Sequence, residues 1–209
     1  MDWVVANWDQ VWSLTLNHAR LSIAPIVVGF LIAVPLGRLA AGSRVARGII
    51  LSTGSLLYAI PSLPLFLILP LILATRTLDE INLTVALTLY AVAIMVRSST
   101  DAFTSLPPAT LSAATAIGFG RAGRFVRVEL PLAGPVLLAG LRVISVSTVA
   151  MVTVGALIGS DNLGYLFTNG RATGNLAAVV TGLVGTLLLA AVFDAILQLA
   201  GRLAMPWRR

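Results

Sequence analysis

Cysteine and lysine are absent from the 209-residue chain, and there is one histidine, His18. Without cysteine no disulfide or thiolate metal site forms, and a lone imidazole makes no ligand cluster, so no visible ligand set encodes redox chemistry. Charge is scarce too: 11% of residues are charged against 58% hydrophobic, and the mean hydropathy is +0.97. Soluble domains carry roughly a quarter charged residues, so this composition excludes an ordinary soluble fold and describes a membrane protein. No GxxxxGK[ST] phosphate loop occurs, so any nucleotide hydrolysis has to be borrowed from another chain.

The charge present is mostly of one sign, with 14 arginines and 8 acids giving a net +6. In a soluble chain such an excess suggests nucleic acid. Here the arginines sit between apolar runs, where membrane topology explains them first, and no nucleic-acid partner is expected. Met1 to Gln10 is acidic and carries Trp3 and Trp8, unlike the basic start of a signal peptide. It reads as mature sequence at the membrane interface, where Trp is enriched.

A helical span takes roughly 20 residues, so five or six spans nearly exhaust the chain. Five apolar runs are visible: Leu21–Gly37, extending back to Leu14; Ile49–Ala74; Ile81–Val96, continuing toward Phe103; Leu130–Gly159; and Leu176–Ala200. Pro25 and Pro35 leave the ends or bends of the first open, and Pro61, Pro64 and Pro70 predict a broken helix with a polar-accessible bend at IPSLP in the second. With five spans, Arg38, Arg44, Arg47, Arg97, Arg121, Arg124, Arg127, Arg142, Arg202, Arg208 and Arg209 share one side. The positive-inside rule then puts the N-terminus outside and the C-terminus in the cytoplasm. Four spans compete if the second run is re-entrant. The expected fold is therefore an all-α polytopic membrane protein, a single domain over residues 1–209, with a short cytoplasmic helix.

That helix belongs to Val96–Leu130, the one substantial interruption of the hydrophobic pattern. Pro107 and Pro108 suit a helix start, Leu111, Ala114 and Ile117 supply loosely spaced apolar contacts, and Gly118 and Gly120 end or turn it. Arg121, Arg124 and Arg127 recur every three residues, followed by Glu129 and Pro131. One reading is a basic, topology-setting face beside anionic lipid. The other is a docking segment, residues 107–124, fitted into a soluble partner, because the segment is too small for an active site of its own.

The stretch SAATAIGFGRAGRFVRVELPLAGPVLLAGLR, Ser112 to Arg142, resembles the coupling motif of inner-membrane permease subunits of binding-protein-dependent ABC importers. Ala113 and Ala114 match its two alanines, Gly118 its central glycine and LPLAGP its closing element, while Ser112 replaces the usual acid. The resemblance covers almost the whole chain and is closest to the glycine betaine/carnitine/choline, or osmoprotectant, branch, through LTLNHARLSIAPIVVGFLIAVPLG, LYAIPSLPLFLILPLI, LTLYAVAIMVRSSTDAF and ALIGSDNLGYLFTNG. Ser160, Asp161 and Asn162 depart from the small, glycine-rich sequence usual there.

The resemblance implies a prokaryotic plasma-membrane or inner-membrane subunit that pairs with a second permease, identical or related. It also implies a cytoplasmic ABC ATPase dimer, which uses ATP and Mg, docked through Ser112, Ala113, Ala114, Gly118, Arg121 and Arg124, and an external substrate-binding protein that delivers a small zwitterionic or cationic solute. The chain itself needs no cofactor and is not an enzyme. Two rivals stay open: an ABC permease for an amino acid or another small polar solute, and a non-transporting membrane assembly or regulatory subunit. A secondary transporter fits less well, as no inverted repeat or ion-coupling cluster is visible.

For the translocation path, Tyr58, Ser62, Asn82, Ser145, Thr148 and Thr153 are the polar candidates, with Ser147 beside them. Membrane Ser and Thr just as often satisfy their own helix or a neighbour. Ser145 and Thr148 are three apart and share a face, whereas Ser147 points elsewhere. A quaternary ammonium favours an aromatic cage, and the aromatics here are scattered, so strong selection belongs to the external protein. Asp194 in the last run suggests either a relay or cation site or a solvated or Arg202-paired carboxylate. His18 reads as a packing or hydrogen-bonding residue rather than a proton shuttle, and Gly182 and Gly185 as points of close helix approach.

Overall fold

A computed structural model describes residues 2–76 and 79–208, which are helical with no strand among them. In chain order the helices are α1 (Asp2–Ala6), α2 (Trp8–Gly42), α3 (Arg44–Ala59), α4 (Ser62–Leu73), α5 (Glu80–Thr104), α6 (Pro108–Ala116), α7 (Arg121–Arg124), α8 (Leu130–Val152), α9 (Gly164–Ala172) and α10 (Leu176–Ala204). A π-helical turn, Phe125–Glu129, joins α7 to α8, and a 3₁₀ turn, Thr153–Ile158, extends α8. Four helical stretches are long and apolar enough to cross a membrane: Trp8–Gly42, Glu80–Thr104, Arg121–Ile158 and Leu176–Ala204. A fifth crossing results if α3 and α4, bent by 103° at their junction, count as one broken span.

Local chemistry sets the breaks. Ser43 caps α3 by accepting from the Ala46 N–H at 3.4 Å, and Asn175 caps α10 by accepting from Ala178 at 3.2 Å. Between α3 and α4, Pro61 holds itself and the preceding Ile60 in extended backbone (ψ 136° and 126°), and the Ile60 carbonyl, left beyond the end of α3, accepts from the Tyr90 hydroxyl at 2.5 Å. The bend expected at IPSLP is present for that reason. Pro25 and Pro35, by contrast, lie inside a continuous α2, as proline is tolerated in membrane helices whose neighbours compensate.

The apolar run that suggested Ile81–Val96 ends earlier than its helix. α5 continues to Thr104 because Ser99 and Thr100 are fully buried against α2, and Thr100 returns its hydroxyl to the Val96 carbonyl at 2.7 Å. α2 and α5 pack through small residues: a side chain on Gly29 would meet Ala91, and one on Gly37 would meet Ser99 and the Thr100 backbone. Arg20 also reaches Glu80 at 2.7 Å. Positions rise together along both helices, so α2 and α5 run parallel, and the chain between them has to return.

α8 runs the other way. Glu129 at its start meets Arg38 late in α2, and the carbonyl of Val149 near its end meets His18 early in α2. α10 reverses again, with Gly201 against Leu138 and Asp194 against Arg142. The core between these helices is small and interlocked: Ala33, Ala91, Met95, Ala133, Leu137 and Ile144 are buried toward the arginine-rich end, and Leu14, Val149, Leu163 and Leu166 toward the other.

Candidate coupling surface and translocation path

Pro108 opens α6 at its first turn, where a missing N–H costs nothing. Ala114 is buried and Leu111 packs onto the helix core, so these two, one helical turn apart, hold α6 down. Ser112 and Ala113 consequently face outward and are exposed. The chain leaves α6 through Gly118, whose φ of +94° is left-handed, with open space where a side chain would stand. Ile117 beside it is 76% exposed, an unusual place for a large aliphatic side chain unless another surface covers it.

The three arginines that follow do not form one basic face. Arg121 and Arg127 are exposed, but Arg124 turns inward, its Nε donating to Glu129 Oε1 at 2.8 Å and its Nη1 to Thr115 Oγ1 at 3.0 Å. The π-helical turn disrupts the three-residue spacing: the N–H of Leu130 bonds the carbonyl of Phe125, just before Pro131, which has no N–H to give. Glu129 is 1% exposed and also holds Arg38. Arg38, Arg121 and Arg124, with Gly42, Ser43 and Phe125, line an open cleft of about 830 Å³ between the α2–α3 corner and α7. The pairing of Arg38 with Glu129 is not visible in the sequence. Their signal was an acid directly after an arginine cluster, but 91 residues separate them.

Of the polar residues proposed for the path, Asn82, Ser145 and Thr148 are buried inside the chain. Asn82 secures the start of α5, accepting from Thr75 at 2.7 Å and donating to the Arg76 carbonyl at 2.9 Å. Ser145 and Thr148 do share a face of α8, and it turns into the helix core. Tyr58 is 52% exposed and stacks edge-on against Tyr90 with ring centres 6.2 Å apart. Ser62 is half-buried at the start of α4, and Thr153 is half-buried, donating to the Ala150 carbonyl at 2.7 Å.

Two further polar residues find definite partners. His18 is fully buried, with Nε2 2.8 Å from the Val149 carbonyl and Nδ1 accepting from the Leu163 N–H at 3.3 Å. Both ring nitrogens are thus committed, which makes it a tie between α2, α8 and the loop before α9, as a hydrogen-bonding histidine would be. Asp194 does not pair with Arg202, which is exposed; it pairs with Arg142 across the α8–α10 contact and accepts from Gln198 at 2.7 Å. The correction follows from helix direction, since α10 brings Asp194 level with the middle of α8. Gly182 is a point of close approach, where a side chain would stand 3.0 Å from Leu166 of α9.

The arrangement of these helices is that of an ABC importer's membrane subunit. It is similar to a chain of the MetNI methionine ABC transporter in inward-facing form, with a TM-score of 0.73 over 94% of each chain and 21% identity, a likeness of fold. Residues 26–204 match the binding-protein-dependent transport system inner membrane component family, and the chain belongs to it as a permease subunit. It is 32% identical to the osmoprotectant import permease protein OsmW of Salmonella typhimurium, over 94% of this chain and 92% of that protein. It is 28% identical to the choline transport system permease protein OpuBB of Bacillus subtilis, over 96% of this chain and 91% of that one. Membership implies an ATPase and a substrate-binding protein as partners and a multi-pass place in the membrane.

Proposed function

We propose that this subunit carries glycine betaine, choline, carnitine or a related quaternary amine across a prokaryotic plasma membrane, as half of a permease pair driven by a cytoplasmic ATPase dimer and fed by an external binding protein. The near-full-length similarity to OsmW carries the cargo assignment. Five crossings, with the N-terminus outside and the C-terminus in the cytoplasm, are supported by the parallel run of α2 and α5, which requires α3 and α4 together to return across the bilayer. The same orientation collects Arg38, Arg121, Arg124 and Arg127 on the cytoplasmic side. The whole chain then acts as one permease domain, with no cofactor of its own and with ATP and Mg used by the partner ATPase.

Residues 107–124 are the segment proposed to meet that ATPase. The exposure of Ser112 and Ala113 on a helix held down by Leu111 and Ala114, and of Ile117 and Arg121 just after it, supports the assignment. Gly118 gives the segment its turn, and Arg124 braces it from behind. Tyr58, Ser62 and Thr153, which keep partly accessible side chains, are the proposed contacts of the path, with Asn82, Ser145 and Thr148 buried behind them. The docking assignment is tested by Gly118→Trp, which forces a bulky side chain onto a left-handed backbone at an open surface. Expected are normal membrane insertion and loss of the co-purifying ATPase; a variant complex that assembles and hydrolyses ATP with wild-type solute stimulation contradicts it.

A further inference from the structure

A continuous polar chain runs from the coupling segment to the first long helix. Thr115 of α6 accepts from Arg124 of α7 at 3.0 Å, and Arg124 donates to Glu129 at 2.8 Å. Arg38 of α2 binds the same carboxylate through Nε to Oε2 and through Nη2 to Oε1, the latter at 3.2 Å. Both Glu129 oxygens are thereby held by guanidinium groups from two different elements, at the first residue before α8.

Burying such a cluster is a poor route to stability, since apolar residues of similar volume serve as well or better. Charge-assisted, forked hydrogen bonds supply orientation instead, which apolar contacts between smooth helices do not. Orientation is what the turns on either side of α7 otherwise lack. Side chains added at Gly118 or Gly120 would meet nothing within 4 Å, and the link to α8 passes through a π-helical turn. Glu129 is the point at which α2, α7 and the start of α8 are joined, with Thr115 adding α6.

We propose that Glu129 is a positioning residue that locks the coupling segment to α2 and α8, so that displacement of α6 moves both membrane helices as one body. The proposal rests on the reading of residues 107–124 as the ATPase-docking segment. Docking delivers a displacement only, and solute access changes only if that displacement biases the membrane helices between two arrangements. With the carboxylate clamp released, α6 follows the ATPase while α2 and α8 lag, and ATP is hydrolysed without transport.

The test uses the full complex in proteoliposomes, with Glu129→Gln and the conservative Glu129→Asp. In Glu129→Gln the ATPase still co-purifies and hydrolyses ATP, while solute taken up per ATP falls about tenfold; Glu129→Asp recovers part of that ratio. Because the chain has no cysteine, spin labels at Leu39→Cys in α2 and Ala116→Cys in α6 report the lock directly. Their distance is the same in nucleotide-free and ATP-trapped wild-type complex, and shifts and broadens between those states in Glu129→Gln. A wild-type uptake ratio in Glu129→Gln, or a wild-type label distance that changes with nucleotide, overturns the proposal. Should Glu129→Gln fail to accumulate, Arg38→Gln removes one of the two guanidinium partners and is read the same way. Gly118→Trp separates the two ideas. If it keeps a coupled ATPase, the docking assignment is wrong; if it loses the ATPase while Glu129→Gln stays coupled, only the positioning role is wrong.

Discussion

Arg142 and Asp194 face one another between α8 and α10 through two parallel hydrogen bonds, Nε to Oδ1 at 2.5 Å and Nη2 to Oδ2 at 2.9 Å. This forked geometry is the one in which a guanidinium and a carboxylate neutralise each other best. Both residues lie in apolar helices, so removing either leaves an unpaired charge in a membrane segment. Asp194→Ala is therefore expected to lower the melting temperature of the detergent-solubilised complex and its yield. The exchanged pair Arg142→Asp with Asp194→Arg recovers most of both. Melting curves of the two variants check this, and an Asp194→Ala variant as stable as wild type would show that the pair holds nothing together.

Gly37 fixes the closeness of α2 to α5, because a Cβ there would collide with Ser99 and the backbone of Thr100. Backbone cannot move aside as a flexible side chain can, so Gly37→Val is expected to cost about 3 kcal/mol, the upper end for overpacking, and to abolish accumulation of folded protein. Gly48, where an added side chain meets nothing within 4 Å, is the control: Gly48→Ala is expected to fold normally. Size-exclusion profiles of the two variants test the contrast.

Tyr90 satisfies the carbonyl of Ile60, which the extended backbone at Ile60 and Pro61 leaves without a helical partner. Tyr90→Phe keeps the ring against Tyr58 and removes only the donor, so the expected cost is about 1–2 kcal/mol. The effect is local to the junction of α3 and α4. Hydrogen exchange should rise at residues 57–66 and remain unchanged in α10; a uniform rise along the chain, or none, would contradict the role given to the hydroxyl.

The sequence carried the spans well where a bilayer demands a continuous apolar stretch, as in Leu176–Ala200, and it located the break at IPSLP because proline's missing N–H acts locally. The length a span needs also carried the third run on to about Phe103, and α5 ends at Thr104; what stayed hidden was the burial of Ser99 and Thr100, which look like a polar terminus until Gly37 is seen packing against them. The Arg121, Arg124 and Arg127 spacing suggested one face because a regular helix was assumed, and the π-helical turn breaks that rule. Partners far apart in the chain were invisible for a simpler reason. Asp194 and Arg142 are 52 residues apart, and His18 lies 131 from Val149, so only helix direction and packing bring them together. The short helix α6 and the turn after it were legible from Pro107, Pro108 and Gly118, whereas the bracing of Arg124 and Arg38 on Glu129 was not.

The central claim, that this chain is the permease of an ATP-driven importer of quaternary amines, is tested most directly by uptake. The subunit, its permease partner, its ATPase and its binding protein are reconstituted in liposomes, and labelled glycine betaine, choline and carnitine are supplied with the binding protein on one side and ATP on the other. The account predicts ATP-dependent accumulation of at least one of the three, together with solute-stimulated hydrolysis, and neither when this subunit is omitted. Hydrolysis and assembly with no accumulation of any of them, or accumulation of an amino acid instead, would contradict it.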